Sequence, residues 1–105
     1  MAKTVDVVVG HGLSVVDAKA RMEALGEYYA TRYGARVSWS GPRAQVVGKW
    51  TVLTLDVAVD VSATDVRVRA PDPGRLLRKK MIGYAERKLR AYLDPKVEVT
   101  ALPRS

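Results

Sequence analysis

The 105 residues include no cysteine and one histidine, and eighteen bases against eleven acids give a formal charge of +7. That length holds one core, so residues 1–105 are read as a single domain, and the missing cysteines exclude disulfides, thiolate nucleophiles and thiolate metal sites. No apolar run approaches the roughly 20 residues of a membrane span, and Met1 to Asp6 carries no charged lead into an apolar stretch, so a soluble cytoplasmic protein is expected.

Thr4 to Val9 alternates, with Val5, Val7 and Val9 on one face and Thr4 and Asp6 opposite, the period of a half-buried strand. Gly10-His11-Gly12 breaks the pattern. Ser14 stands as an N-cap, with Asp17 at the third helical position and Leu13 set to staple against Ala18. The helix that follows repeats Val15, Ala18, Met22, Leu25, Tyr29 and Tyr33 at three- and four-residue steps, forming one narrow apolar stripe. Gly34 ends it as a left-handed cap.

The middle of the chain reads as a β-meander. Arg36 to Ser40 alternates with Val37 and Trp39 on one side, Gly41-Pro42 turns the chain into Ala44 to Val47, and Gly48-Lys49 suggests a bulge or second turn. The longest strand runs from Val52 to Val61, with Leu53, Leu55, Val57, Val59 and Val61 inward and Thr54, Asp56, Ala58 and Asp60 outward. A turn over Ser62 to Asp65 leads into a strand over Val66 to Ala70, which Pro71-Asp72-Pro73-Gly74 stops. Asp56 and Asp60 are expected to pair across strands with Arg67 and Arg69, each pair contributing about 0.2–1 kcal/mol.

Arg75 to Leu93 is read as a second helix, and it holds most of the net charge: seven bases to one acid, against eleven bases and ten acids elsewhere. Leu77, Met81, Ala85, Leu89 and Tyr92 share an apolar arc of about 120°, with Lys79, Lys80, Arg87 and Arg90 across from it. Arg78 and Lys88 fall in or beside that arc, so their stems should lie along the core with their heads at its edge. Asp94-Pro95 ends the helix, and Lys96 to Ala101 alternates as a short terminal strand. The order is β-α-β-β-β-β-α with an added strand at the end. This is an α+β fold: an antiparallel meander sheet of four to six strands with both helices on its apolar face.

No motif names a reaction. His11 is the one imidazole available as a base or ligand, and it sits where helix amides can bind an anion; the simpler reading is a ring that caps the junction or packs beside Trp39. Asp56 and Asp60 have no accompanying histidine for a metal site, and no serine lies in a nucleophile elbow. A non-enzymatic protein without metal or cofactor is therefore expected. The charged helix points to an anionic partner. Its candidate contacts are Arg75, Lys79, Lys80, Arg87 and Arg90, with His11, Arg67 and Arg69 as lesser candidates. Tyr28, Trp50 and Tyr84 are available for an exposed contact patch, and a sheet edge for pairing with a second copy.

The run from Val5 to Leu25 with His11 and Leu13 at the start of the first helix, then Tyr33-Gly34, Val37-Ser38-Trp39, and Val66 to Ala70 followed by Leu76-Leu77 and a basic helix, resembles the putative polyhydroxyalkanoic acid system protein family. The resemblance covers most of the chain and departs at Val46 to Val52, where the hairpin is longer and lacks an expected phenylalanine. It implies association with the bacterial storage system for polyhydroxyalkanoate granules and no reaction. The partners it implies are the granule surface, through anionic phospholipid, or acidic granule-associated proteins, and the location it implies is the cytoplasm at storage granules. The same outline with a basic final helix is also similar to ribosome hibernation-promoting factors. On that resemblance Lys79, Lys80, Arg87 and Arg90 would follow RNA phosphates, with Arg67, Arg69 or Tyr28 adding contacts. A third reading makes the charge a solvated face of a domain that acts through a homodimer or a protein partner.

Overall fold

Strand β1 (Thr4–Gly10) leads into helix α1 (Val15–Tyr33), the meander β2 (Arg36–Ser40), β3 (Arg43–Trp50), β4 (Leu53–Val61) and β5 (Asp65–Pro71), helix α2 (Arg78–Tyr92), and a 3-10 turn at Val99–Ala101. The computed structural model describes residues 3–50 and 53–105. Val52 as a strand start, the Trp50 ring as a contact and the Leu53 side chain as a core member lie outside what is described.

The five strands form one antiparallel sheet in the order β1-β5-β4-β3-β2. Strands β1 and β2 therefore run in the same direction at opposite edges, and α1 crosses between them over one face. Alternation decides that face: Val5, Val7 and Val9 of β1 are buried while Thr4, Asp6 and Val8 are exposed. Val66 near the start of β5 is fully buried, and Val61, Ala18, Met22, Leu25, Leu89 and Tyr92 close the core around it. Helix α1 covers β2, β3 and β4, while α2 lies chiefly over β1.

Helix α1 follows its sequence signals. The Ser14 side chain accepts a hydrogen bond from the Asp17 amide at 3.0 Å, and Gly34 takes φ +69° as the left-handed cap. The apolar stripe is buried only in its middle, because Val15 and Tyr33 overhang the sheet at the two ends and remain exposed. Gly26 lets the helix approach β2 closely, since a Cβ there would stand 3.2 Å from a methyl of Val37.

Three expectations are corrected. Strand β3 runs without interruption through Gly48-Lys49, pairing Val46 with Val57, Gly48 with Leu55 and Trp50 with Leu53. Glycine at position 48 makes room for the α1–β2 connection, where a Cβ would meet that of Ala35 at 3.4 Å. On the outer sheet face the ion pairs are Asp6–Arg69 at 2.9 Å and Asp60–Arg43 at 2.6 Å, while Asp56 accepts from Gln45. Arg67 does stand opposite Asp60 in register, but β1 supplies the acid for Arg69 and β3 the base for Asp60. The third correction is at the C-terminus, where Lys96 to Ala101 forms no strand. Its residues turn through Val97 to Asp94 and Leu102 to Val99 backbone bonds and bury Leu102 in the core.

The tail is held by Arg21, the one buried charged residue among the described residues. Its guanidinium donates to the carbonyls of Tyr92 at 3.1 Å, Asp94 at 2.7 Å and Val97 at 2.6 Å, and its Nε to the Asp17 carboxylate at 3.1 Å. The rigid fork suits this role, and a cation also opposes the negative end of the α2 dipole. One side chain thus satisfies carbonyls at the end of α2 and in the chain after it. Arg21→Ala should lower unfolding stability by about 3 kcal/mol in denaturant titration, because buried carbonyls lose charged donors. Arg21→Lys should recover only part of that loss, and Asp17→Asn should cost under about 1 kcal/mol because that carboxylate is partly solvated.

Candidate functional site

Antiparallel connectivity gathers the start of β1, the end of α1, the start of β2, the end of β3, the start of β4, the end of β5 and the start of α2 at one end of the sheet. The chain places bases at nearly every one of these points. Lys3, Arg32, Arg36 and Lys49 come from the sheet and α1, and all are exposed. Helix α2 and the turn before it add Arg75, Lys79 and Lys80, also exposed. The acid at the chain reversal here, Asp72, is committed to Arg78 at 2.6 Å. The opposite end carries the His11 loop and the C-terminal tail, and its charges are mixed, with Asp17, Asp65 and Asp94 alongside Arg43, Arg90 and Lys96. Positive charge is therefore concentrated at one pole of the domain, where the fields of neighbouring bases add.

From that pole a basic stripe rises along α2. Lys79 and Arg90 lie within about 20° of one another around the helix axis, as do Lys80 and Arg87, so the candidates form two parallel rows on its solvent side. Arg75, Lys79, Lys80 and Arg87 have no carboxylate within ion-pair distance among the described residues, and Arg90 has Glu86 at 3.7 Å. Lys88 leaves the stripe and sets its Nζ 4.4 Å from the centroid of the Tyr28 ring, which Arg32 also approaches at 5.6 Å. Tyr84 bonds the Tyr29 hydroxyl at 2.7 Å, and burial together with that bond pushes the Tyr29 phenol well above its ordinary range. Tyr28 and Tyr84 thus join the two helices to each other.

The lesser candidates lie elsewhere. Nε2 of His11 donates to the Ser62 carbonyl at 2.9 Å and Nδ1 accepts from the Leu13 amide at 3.2 Å, a tautomer set by these partners; the ring pins the β1–α1 junction to the β4–β5 turn. Arg67 and Arg69 project from the sheet face opposite the helices, with Arg69 engaged by Asp6. They do not share a surface with the α2 stripe. Among the described residues, no group of three or more His, Cys, Asp or Glu side chains is placed to hold a metal, and no helix is long and apolar enough to cross a membrane.

Helix α2 begins at Arg78, three residues later than the charge pattern implies. Gly74 takes φ +101°, its amide donates to the Asp72 carboxylate at 2.9 Å, and its carbonyl receives the Leu77 and Arg78 amides. The resulting turn holds Leu76 clear of the core at 91% exposure and Leu77 at 38%. Leu76 lies 100° from Leu77 around a helix, outside the apolar arc that Leu77, Met81, Ala85, Leu89 and Tyr92 define.

A family model described as putative polyhydroxyalkanoic acid system protein matches residues 5–97. The chain belongs to this family. The matched span contains all of the sheet but Thr4, both helices, and the Leu76-Leu77 turn within the basic pole. Comparison with curated proteins and with solved structures returns no significant match. Membership links the protein to the polyhydroxyalkanoate system, and the fold is α+β, a five-stranded antiparallel sheet with two helices on one face.

Two paired carboxylates respond to acid, Asp72 at the pole and Asp6 on the open face of the sheet. Arg78, then the Gly74 amide, holds Asp72 below its ordinary range, and Arg69 does the same for Asp6. A carboxylate lowered on folding adds stability at pH values above the unfolded pKa of about 3.9, and that stability is lost as pH falls through the folded value. Carbon-detected NMR titration should find both carboxyls still ionised at pH values where exposed aspartates have protonated. Amide exchange at Gly74 should rise when Asp72 finally protonates.

Proposed function

We propose that this protein works without catalysis at the surface of polyhydroxyalkanoate granules, as a coat or adaptor that docks through its basic pole. The supporting observation is the run of exposed bases without carboxylate partners, Arg75, Lys79, Lys80 and Arg87, on a family member linked to that storage system. An anionic surface neutralises such a run cooperatively, each base near anionic lipid contributing about 1 kcal/mol. The apolar side of α2 is occupied by β1 and α1, through buried Leu89 and Tyr92, so the helix meets a partner with its charged side. The bases leave α2 as a stripe on its outward side that begins at the pole, with Lys79 and Lys80 in its first turn.

Purified protein should co-sediment with native granules at low salt, and RNA should not compete it away. Charge reversal in Lys79→Glu with Lys80→Glu should reduce granule binding by about 100-fold or more at low salt, while leaving the thermal midpoint nearly unchanged because both residues are exposed. Wild-type protein that stays in the supernatant, or that free RNA displaces from granules, would overturn the reading in favour of a nucleic-acid or soluble protein partner.

A further inference from the structure

We infer that the turn before α2 is a lipid-inserting wedge, in which Leu76 and Leu77 enter the outer acyl region of an anionic phospholipid monolayer while the surrounding bases bind its headgroups. This rests on the granule reading above and adds to it the class of surface and the side chains that penetrate it. Leu76 is the most exposed large apolar side chain among the described residues, at 91%, and Leu77 beside it is more than a third exposed. Leucine displayed this fully contributes nothing to the core. Its placement is enforced: Gly74 with φ +101°, the Asp72 carboxylate on the Gly74 amide and the Arg78–Asp72 pair fix the turn in an outward position.

The surroundings select the partner. Arg75 and Arg78 flank the leucines in sequence, Lys79 and Lys80 follow, and the other bases of the pole lie around the same end. A second copy of this chain would bring a like-charged pole against it, which disfavours self-association here. RNA would use the bases but gains little from leucines, since its recognition relies on phosphate contacts and on stacking against aromatic or guanidinium planes. An interface that is negative at its surface and apolar just beneath matches both components, as for interfacial helices with basic polar faces. Insertion here is shallow, because the rest of the apolar side of α2 is packed against the sheet. The domain then stands with its basic pole down and the His11 loop and tail facing away.

The test compares wild type, Leu76→Ser, Leu76→Phe and the Lys79→Glu, Lys80→Glu double variant. Each is sedimented with vesicles of phosphatidylglycerol and phosphatidylcholine, with phosphatidylcholine vesicles alone, and with native granules, at low and high salt. Wild type should bind the anionic vesicles and retain a fraction at high salt. Leu76→Ser should still bind at low salt but about tenfold more weakly and lose the salt-resistant fraction, whereas Leu76→Phe should keep it. The charge-reversed variant should fail at low salt. Because Leu76 is solvent-exposed, the serine variant should melt with wild type, and circular dichroism checks this. Equal salt-resistant binding by wild type and Leu76→Ser, or wild-type binding to granules but not to anionic vesicles, would overturn the wedge and leave granule docking standing. Failure of wild type on both granules and vesicles would overturn both.

Discussion

One buried guanidinium determines how the two halves of this domain meet. Arg21 rises from α1 and gathers carbonyls from the end of α2 and from the tail, so a single side chain closes the last turn of α2, the chain after it and the first helix. Removing a cation from water is costly, and it is tolerated here because the guanidinium is surrounded by carbonyl oxygens and one partly solvated carboxylate. With its C-terminal end fixed in this way, α2 lies over β1 with Leu89 and Tyr92 inward, which turns Lys79, Lys80, Arg87 and Arg90 outward. The tyrosines assist at the other part of the seam, through the Tyr29–Tyr84 bond and the cations over Tyr28. The exposure of the basic stripe is thus a consequence of how the core closes.

Charge elsewhere is treated differently. On the open face of the sheet, acids and bases are interleaved and paired, Asp6 with Arg69 and Asp60 with Arg43. That face is polar and nearly balanced, as suits a solvated surface. At the pole the balance is abandoned, with bases supplied by separate elements and Asp72 held by Arg78. Like charges in proximity cost folding free energy through self-repulsion. Such a concentration, beside two exposed leucines, is the kind of feature that a binding role explains and core packing does not.

Much of this was readable from the amino-acid order. Alternation marks Val5, Val7 and Val9 and the strand through Val57, Val59 and Val61, while Ser14 and Gly34 mark the ends of α1; these signals are local, and the structure follows them. What depends on spatial order was not readable. Arg69 pairs with Asp6 only because β1 docks beside β5, across more than sixty residues of chain, and no periodicity states which strand lies at that edge. The alternation from Lys96 to Ala101 misleads because Arg21 takes the Val97 carbonyl and the chain beyond it closes turn bonds to Glu98 and Val99. A trace of that role was present: on a helical wheel Arg21 sits about 40° from Leu25, at the margin of the apolar stripe, with Asp17 one turn before it. At the site, the basic face of α2 was legible from charge spacing, whereas the late start of the helix followed from the Asp72 and Gly74 hydrogen bonds, and with it the exposure of Leu76.

The central claim is that this domain meets a granule with one pole. Hydrogen–deuterium exchange on the full chain, free and bound to native granules, tests it directly. The account predicts slowed exchange from Gly74 through the first turns of α2, with the His11 loop and the Asp94 to Ala101 tail unchanged. Protection centred on the β2 edge, on the open face around Arg67, or nowhere in the chain would contradict it.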